Sequence, residues 1–173
     1  YSTVVNYQGG TNNITINDCM LEGNATATTS TYQTVLYQNG GLSHYNTITN
    51  NTLEGGSYGL YMRGSGTTSR GTGNNISNNS ILNANYYQCY LYYQDSLNFN
   101  GNTITQRPTS TSFCYGIYTY YCDDCNVTKN KVTLNTTSSN YGIMIGRYAG
   151  TQNEVSNNMF VSSANATGTA YGI

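Results

Sequence analysis

Charge is nearly missing from this chain, which carries six basic and seven acidic residues among 173. It has no basic face to offer nucleic acid or an anionic membrane, so neither is expected as a partner. The same count argues against disorder, which pairs low hydrophobicity with high charge. Proline occurs once, at Pro108, and His44 is the sole histidine. Alanine, lysine and glutamate are scarce, so strong helix formers are few. No apolar run approaches the roughly 18 residues of a membrane-spanning helix. No secretion leader opens the chain. It starts at Tyr1 and stops at Ile173 in mid-pattern, as a window on a longer protein would.

Cysteines number five, an odd count. Cys122 and Cys125 are the only close pair. A metal site would need two further ligands nearby, and His44 is far off in sequence. The alternatives are a local disulfide in an oxidising compartment, which we favour, or two free thiols. Cys19 and Cys89 fall at expected core positions, where cysteine acts as a small apolar residue. No metal site, cofactor or catalytic constellation is expected.

What the chain has in plenty is 26 Asn, 26 Thr, 19 Gly and 19 Tyr, residues of turns and strands rather than helices. They repeat. The pattern apolar, two residues, Asn, one residue, apolar occurs as Ile14/Asn17/Cys19, Ile48/Asn51/Leu53 and Ile76/Asn79/Ile81. It continues as Phe99/Asn102/Ile104, Val127/Asn130/Val132 and Val155/Asn158/Phe160. The asparagines are 34, 28, 23, 28 and 28 residues apart. A second element, Tyr-X-apolar or Tyr-X-Thr, precedes the later five copies at Tyr32, Tyr58, Tyr87, Tyr115 and Tyr141, and returns at Tyr171. Joining Ile173 to Tyr1 gives a run close to Tyr115–Tyr120, which suggests a tandem array of units about this size.

Such intervals are too short for strand–helix–strand units, and short alternating strands punctuated by Asn and Gly suit a solenoid. Each coil would lay its strands about 4.8 Å from those of the coil before. Asn tolerates the left-handed backbone of a sharp corner, and stacked asparagines can pass amide hydrogen bonds from coil to coil. The expected fold is therefore all-β: one parallel β-helix of about six coils over residues 1–173, with Asn17, Asn51, Asn79, Asn102, Asn130 and Asn158 as a single ladder at a bend. Short repeats such as Ile76-Ser-Asn-Asn-Ser-Ile81 and Val155-Ser-Asn-Asn-Met-Phe160 resemble those of the right-handed parallel β-helix superfamily, with pectate-lyase-like architecture. The resemblance spans essentially the whole chain. It implies a fold shared by lyases, hydrolases, epimerases, tailspikes and adhesins, and so implies no one function.

Well-known members of that superfamily cut acidic polysaccharides, which takes clustered carboxylates. Here Asp18, Glu22 and Glu54 are scattered. Asp95, Asp123, Asp124 and Glu154 form the one plausible acidic cluster, with Arg147 able to join from the next coil. A solvated turn is the plainer reading of it, and a loop position the plainer reading of His44. Eight Asn-X-Ser/Thr sequons stand at Asn13, Asn24, Asn50, Asn75, Asn78, Asn126, Asn135 and Asn165. Asn13, Asn75 and Asn126 should face outward in one column, and Asn24, Asn135 and Asn165 lie in variable loops. The tyrosines should form an outward ladder that stacks coil on coil and could also bind sugars or a neighbouring fibre. Together these features suggest a glycosylated, non-enzymatic β-helix of an extracellular fibre, adhesin or surface layer, partnered by copies of itself and by glycans. The alternatives are a carbohydrate-active β-helix and a receptor-binding module.

Overall fold

The computed structural model describes residues 3–24, 27–108, 110, 112–162 and 168–173. They build a parallel β-solenoid of three long sheets, confirming the superfamily resemblance. Sheet A stacks Val5–Tyr7, Thr34–Asn39, Tyr58–Arg63, Tyr87–Tyr92, Cys114–Tyr120, Asn140–Gly146 and Ala170–Tyr171. Sheet B stacks Thr15–Asn17, Thr47–Thr49, Asn75–Ser77, Asn98–Asn100, Asn126–Thr128 and Glu154–Ser156. Sheet C stacks Met20–Glu22, Thr52–Glu54, Ser80–Leu82, Thr103–Thr105, Lys131–Leu134 and Met159–Ser162. The chain visits A, then B, then C, and returns to A. Parallel crossovers of this kind are right-handed in nearly all proteins.

Three apolar files run down the inside. Sheet A contributes Val5, Leu36, Leu60, Cys89, Ile117 and Ile143. Sheet B contributes Ile16, Ile48, Ile76, Phe99, Val127 and Val155. Sheet C contributes Leu21, Leu53, Ile81, Ile104, Val132 and Phe160. The middle members are fully buried, and the first and last coils are half-open. Each fully buried Leu, Ile or Phe contributes about 1.5–3 kcal/mol. The Tyr-Gly-apolar triplets follow from this packing. A Cβ on Gly116 would lie 2.4 Å from Val132 Cγ1 of sheet C, and one on Gly59 2.6 Å from Ile81 Cγ2.

The ladder exists over five of its six expected members. Asn51, Asn79, Asn102 and Asn130 are buried. Each donates its backbone N–H to the side-chain oxygen of the ladder asparagine one coil on, in every case at 2.9 Å. Their amide nitrogens donate to Ile16, Ile48, Ile76 and Phe99 carbonyls of the coil before, and that of Asn158 to Val127. Asn17 is the exception. It pairs with Thr49 and is exposed, and Cys19 holds the ladder position, its N–H donating to Asn51 Oδ1 at 2.9 Å. The first repeat is thus Ile16/Cys19/Leu21. Reading it two residues early keeps every side chain on its proper face, which is why period-2 alternation cannot expose the slip. Cys19 is accordingly exposed rather than in the core, whereas Cys89 is buried.

The ladder residue itself is not left-handed. The residue before it is, as at Asn50, Asn78, Gly101, Lys129 and Asn157, with φ of 54–67°. That residue turns the corner, and the ladder Asn ties it down from inside. Tyr32 is likewise displaced, because Thr34 pairs with Tyr58 and takes the place expected for it.

Candidate functional site

Between sheets A and B the chain turns a further corner, and the polar chemistry of the protein gathers there. Gly71–Thr72 and Gln94–Asp95 pair as a two-stranded sheet, and single parallel bridges carry the file onward from Asp95 to Asp123 and from Asp123 to Ala149. His44 precedes this file by one coil. Its Nδ1 accepts the Thr72 N–H at 3.2 Å, and its own N–H donates to Asn12 Oδ1 at 2.8 Å. Asn12, His44, Thr72, Asp95, Asp123 and Ala149 therefore form one vertical file on the outside of the corner. Its intervals of 32, 28, 23, 28 and 26 match those of the ladder counted from Cys19 until the last. The only histidine and two of the acidic residues thereby share one file, with Thr72 between His44 and Asp95.

The file has a second wall. The fourth and fifth coils turn this corner on a single left-handed residue, Tyr93 or Tyr121, and the second on Gly40, Gly41 and Leu42, whereas the third inserts residues 64–70 between Arg63 and Gly71. The insertion folds back on itself through an antiparallel bridge between Gly66 and Ser69. It ends at Arg70, which reaches down two coils to form an ion pair with Asp123. Leu42, His44, Thr67, Thr68, Arg70, Thr72 and Asp95 line the resulting cleft of about 210 Å³.

Asp95 and Asp123 do come together, one coil apart. Asp123 is fully engaged, holding Arg70 on Oδ2 and accepting the Ala149 N–H on Oδ1 at 2.9 Å. Asp95 accepts the Ser96 hydroxyl on Oδ1 at 3.1 Å. The other expected members of the acidic cluster lie elsewhere. Asp124 is a left-handed corner residue whose Oδ1 accepts the Thr151 and Gln152 N–H groups. Glu154 begins an outer strand of sheet B and bonds Ser156. Arg147 lies over the Tyr121 ring at 5.3 Å and not against the carboxylates. Arg70 was not foreseeable as their partner, because no repeat pattern contains the insertion that delivers it.

Beneath this corner a second ladder runs through Asn46 and Asn74 and resumes at Asn153. Leu97 and Cys125 interrupt it, which hid it from the repeat search. Cys125 faces Cys122 there. Both are buried, and the structure holds them as free thiols rather than as the disulfide we favoured. A hydrogen bond from Cys125 lowers the Cys122 thiol below its usual range, and the same bond, with burial, pushes Cys125 up. Tyr148 packs against this core.

Sheet A carries the tyrosine ladder on its outer face. Tyr58, Tyr87, Tyr115, Tyr141 and Tyr171 stack with centroids 4.4–5.1 Å apart. Tyr37, Tyr61, Tyr90 and Tyr118 form a parallel stack at 4.7–5.2 Å. Ring faces are spent on one another, so the wall presents rims and hydroxyls rather than the open faces on which a sugar would stack. Asn75 and Asn126 do share one outward column, joined by Asn98, while Asn13 is a left-handed corner residue outside it. Asn24, Asn50 and Asn78 are exposed, Asn135 is half-buried, and Asn165 lies outside the described residues.

The family model described as periplasmic copper-binding protein (NosD) matches residues 2–173. No curated protein and no solved structure matches the chain.

Proposed function

The chain belongs to the NosD family, described as periplasmic copper-binding proteins, and from that footing we propose that it is a non-catalytic β-helical scaffold working outside the cytoplasm. One observation carries this reading. Two of the carboxylates that could have formed a reactive centre are tied into coil-to-coil bonds, Asp123 between Arg70 and Ala149 and Asp124 to the Thr151 and Gln152 N–H groups. A general acid or nucleophile must be free to meet substrate. The test is incubation with a panel of neutral and acidic polysaccharides, reading new reducing ends and unsaturated products. No cleavage is expected. Cleavage that disappears in Asp95→Asn or Asp123→Asn would establish the carbohydrate-active alternative instead.

Fibre, adhesin or surface-layer roles are a finer version of the same proposal, supported by the regular stacking of its coils and its low charge. Glycan carriage is supported by the exposed sequons at Asn78 and Asn126, whereas the Asn50 amide nitrogen donates to Asn17 Oδ1 at 3.0 Å. An intact mass above 18.9 kDa for this stretch of the native protein would check it.

The copper of the family description fits this chain in one way only. Among the described residues no group of three or more His, Cys, Asp or Glu side chains is placed to hold a metal ion. Thiolates, however, select copper(I), and Cys122 and Cys125 are a soft pair already in mutual contact. They would hold Cu(I) as two thiolates and shield it from water and oxygen. Competition against a chromophoric Cu(I) chelator should show one equivalent retained, lost in the Cys122→Ser/Cys125→Ser double variant. Zn(II), which wants four ligands, should not be retained. Equal Cu(I) retention by the double variant would remove the pair from consideration.

A further inference from the structure

We propose that the cleft at the A–B corner is a binding site for a single uncharged polyhydroxylated ring, a hexose-sized sugar unit. The insertion that forms one wall is the first argument. A corner that the fourth and fifth coils turn on one residue, and the second on the three residues Gly40, Gly41 and Leu42, is enlarged to residues 64–70 in the third coil. Loops that exceed structural need on a rigid scaffold are where binding residues collect. The second argument is size. About 210 Å³ lies below the roughly 300–1,000 Å³ of pockets for drug-sized ligands, and suits one small ring.

Polarity supplies the third argument. His44 Nδ1 accepts from Thr72 N–H, so in the neutral ring the proton sits on Nε2 as a donor. Arg70 itself lines the cleft with its guanidinium group, a donor only. The Asp95 oxygen not bonded to Ser96 accepts, and the Thr67, Thr68 and Thr72 hydroxyls do either. Sugar hydroxyls are donor and acceptor at once, and this alternating set matches them. Leu42 offers the one apolar patch, for the C–H face of a ring.

Charge decides against an anion. The Arg70 cation is already neutralised by Asp123, and Asp95 adds a negative charge at the rim. Arg70, Asp123 and Asp95 thus sum to one negative charge at the cleft.

The test is a two-dimensional amide NMR titration of the full chain with methyl glucoside, methyl galactoside, sodium glucuronate and inorganic phosphate. Saturable shifts at Thr72 and Asp95 are expected with at least one neutral glycoside, in the millimolar range. Asp95→Asn and Arg70→Lys should each weaken binding by about tenfold or more, with the amide spectrum elsewhere unchanged as the check on folding. No saturable shift with either glycoside would overturn the proposal. Stronger binding of glucuronate or phosphate would overturn its assignment to an uncharged ligand.

Discussion

A buried asparagine in this ladder works as a bracket on two neighbouring coils. Asn102 Oδ1 accepts the Asn79 backbone N–H and its side-chain amide, while Asn102 Nδ2 donates to Ile76 O. In Asn102→Ala the Asn79 N–H and one hydrogen of the Asn79 amide lose their acceptor while staying buried. Each orphaned group costs about 1–3 kcal/mol, so the urea midpoint should fall by the equivalent of about 2–4 kcal/mol. Asn17→Ala, at an exposed position outside the ladder, should stay within about 0.5 kcal/mol of the parent. Equal shifts in the two variants would mean that the ladder carries no special load. This residue scale was also the most legible in sequence. Five ladder members, and all three apolar files from the third coil onward, could be read, because a coil repeats its chemistry at each turn. Asn17 was misplaced in the first coil and Tyr32 before the second, where fewer stacked neighbours constrain the register. The file of His44, Thr72, Asp95 and Asp123 could have been found by adding the ladder intervals to His44. It escaped because its members differ in chemistry, and a column search looks for sameness.

Sheet A is the element whose behaviour depends most on its side chains. Burial raises the phenols of Tyr58, Tyr61, Tyr87 and Tyr90 above their ordinary value of 10.0, and that of Tyr7 to about 12. Neighbouring rings push the same way, since one phenolate in a stack opposes the next. Below about pH 10 the folded and unfolded chains hold these protons equally. Above it the unfolded chain releases them first, so stability is lost as pH rises toward the folded values. Unfolding midpoints should be flat from about pH 7 to 9 as far as these groups are concerned, then drop steeply. Phenolate absorbance should rise late and together with loss of the β-sheet signal. A smooth titration near pH 10 with the fold intact would show the wall to be far more open than its stacking implies. The tyrosine ladder was legible as a pattern. Its consequence for binding was not, since only the ring geometry reveals that the faces are already occupied.

At the scale of the whole solenoid the two ends differ from the middle. Sheet A closes on Ala170–Tyr171, which covers only Asn140 and Tyr141 of the strand before it, with one further bond from Ile143 N–H to Gly172 O. Met144 and Ile145 are left on an open edge beside the exposed Tyr171 and Ile173, around a cleft of about 290 Å³. A second copy stacked on this edge would cover it. An open parallel edge is a template for another strand, and a charge placed on it blocks pairing. The chain should show concentration-dependent association by sedimentation velocity, and Ile145→Lys should weaken it by about tenfold or more, a loss of roughly 1.4 kcal/mol or greater. Lys131→Glu, on the flank of sheet C, should leave it unchanged. If the parent is a monomer at every concentration reached, or if both variants associate alike, the edge is not a contact between copies.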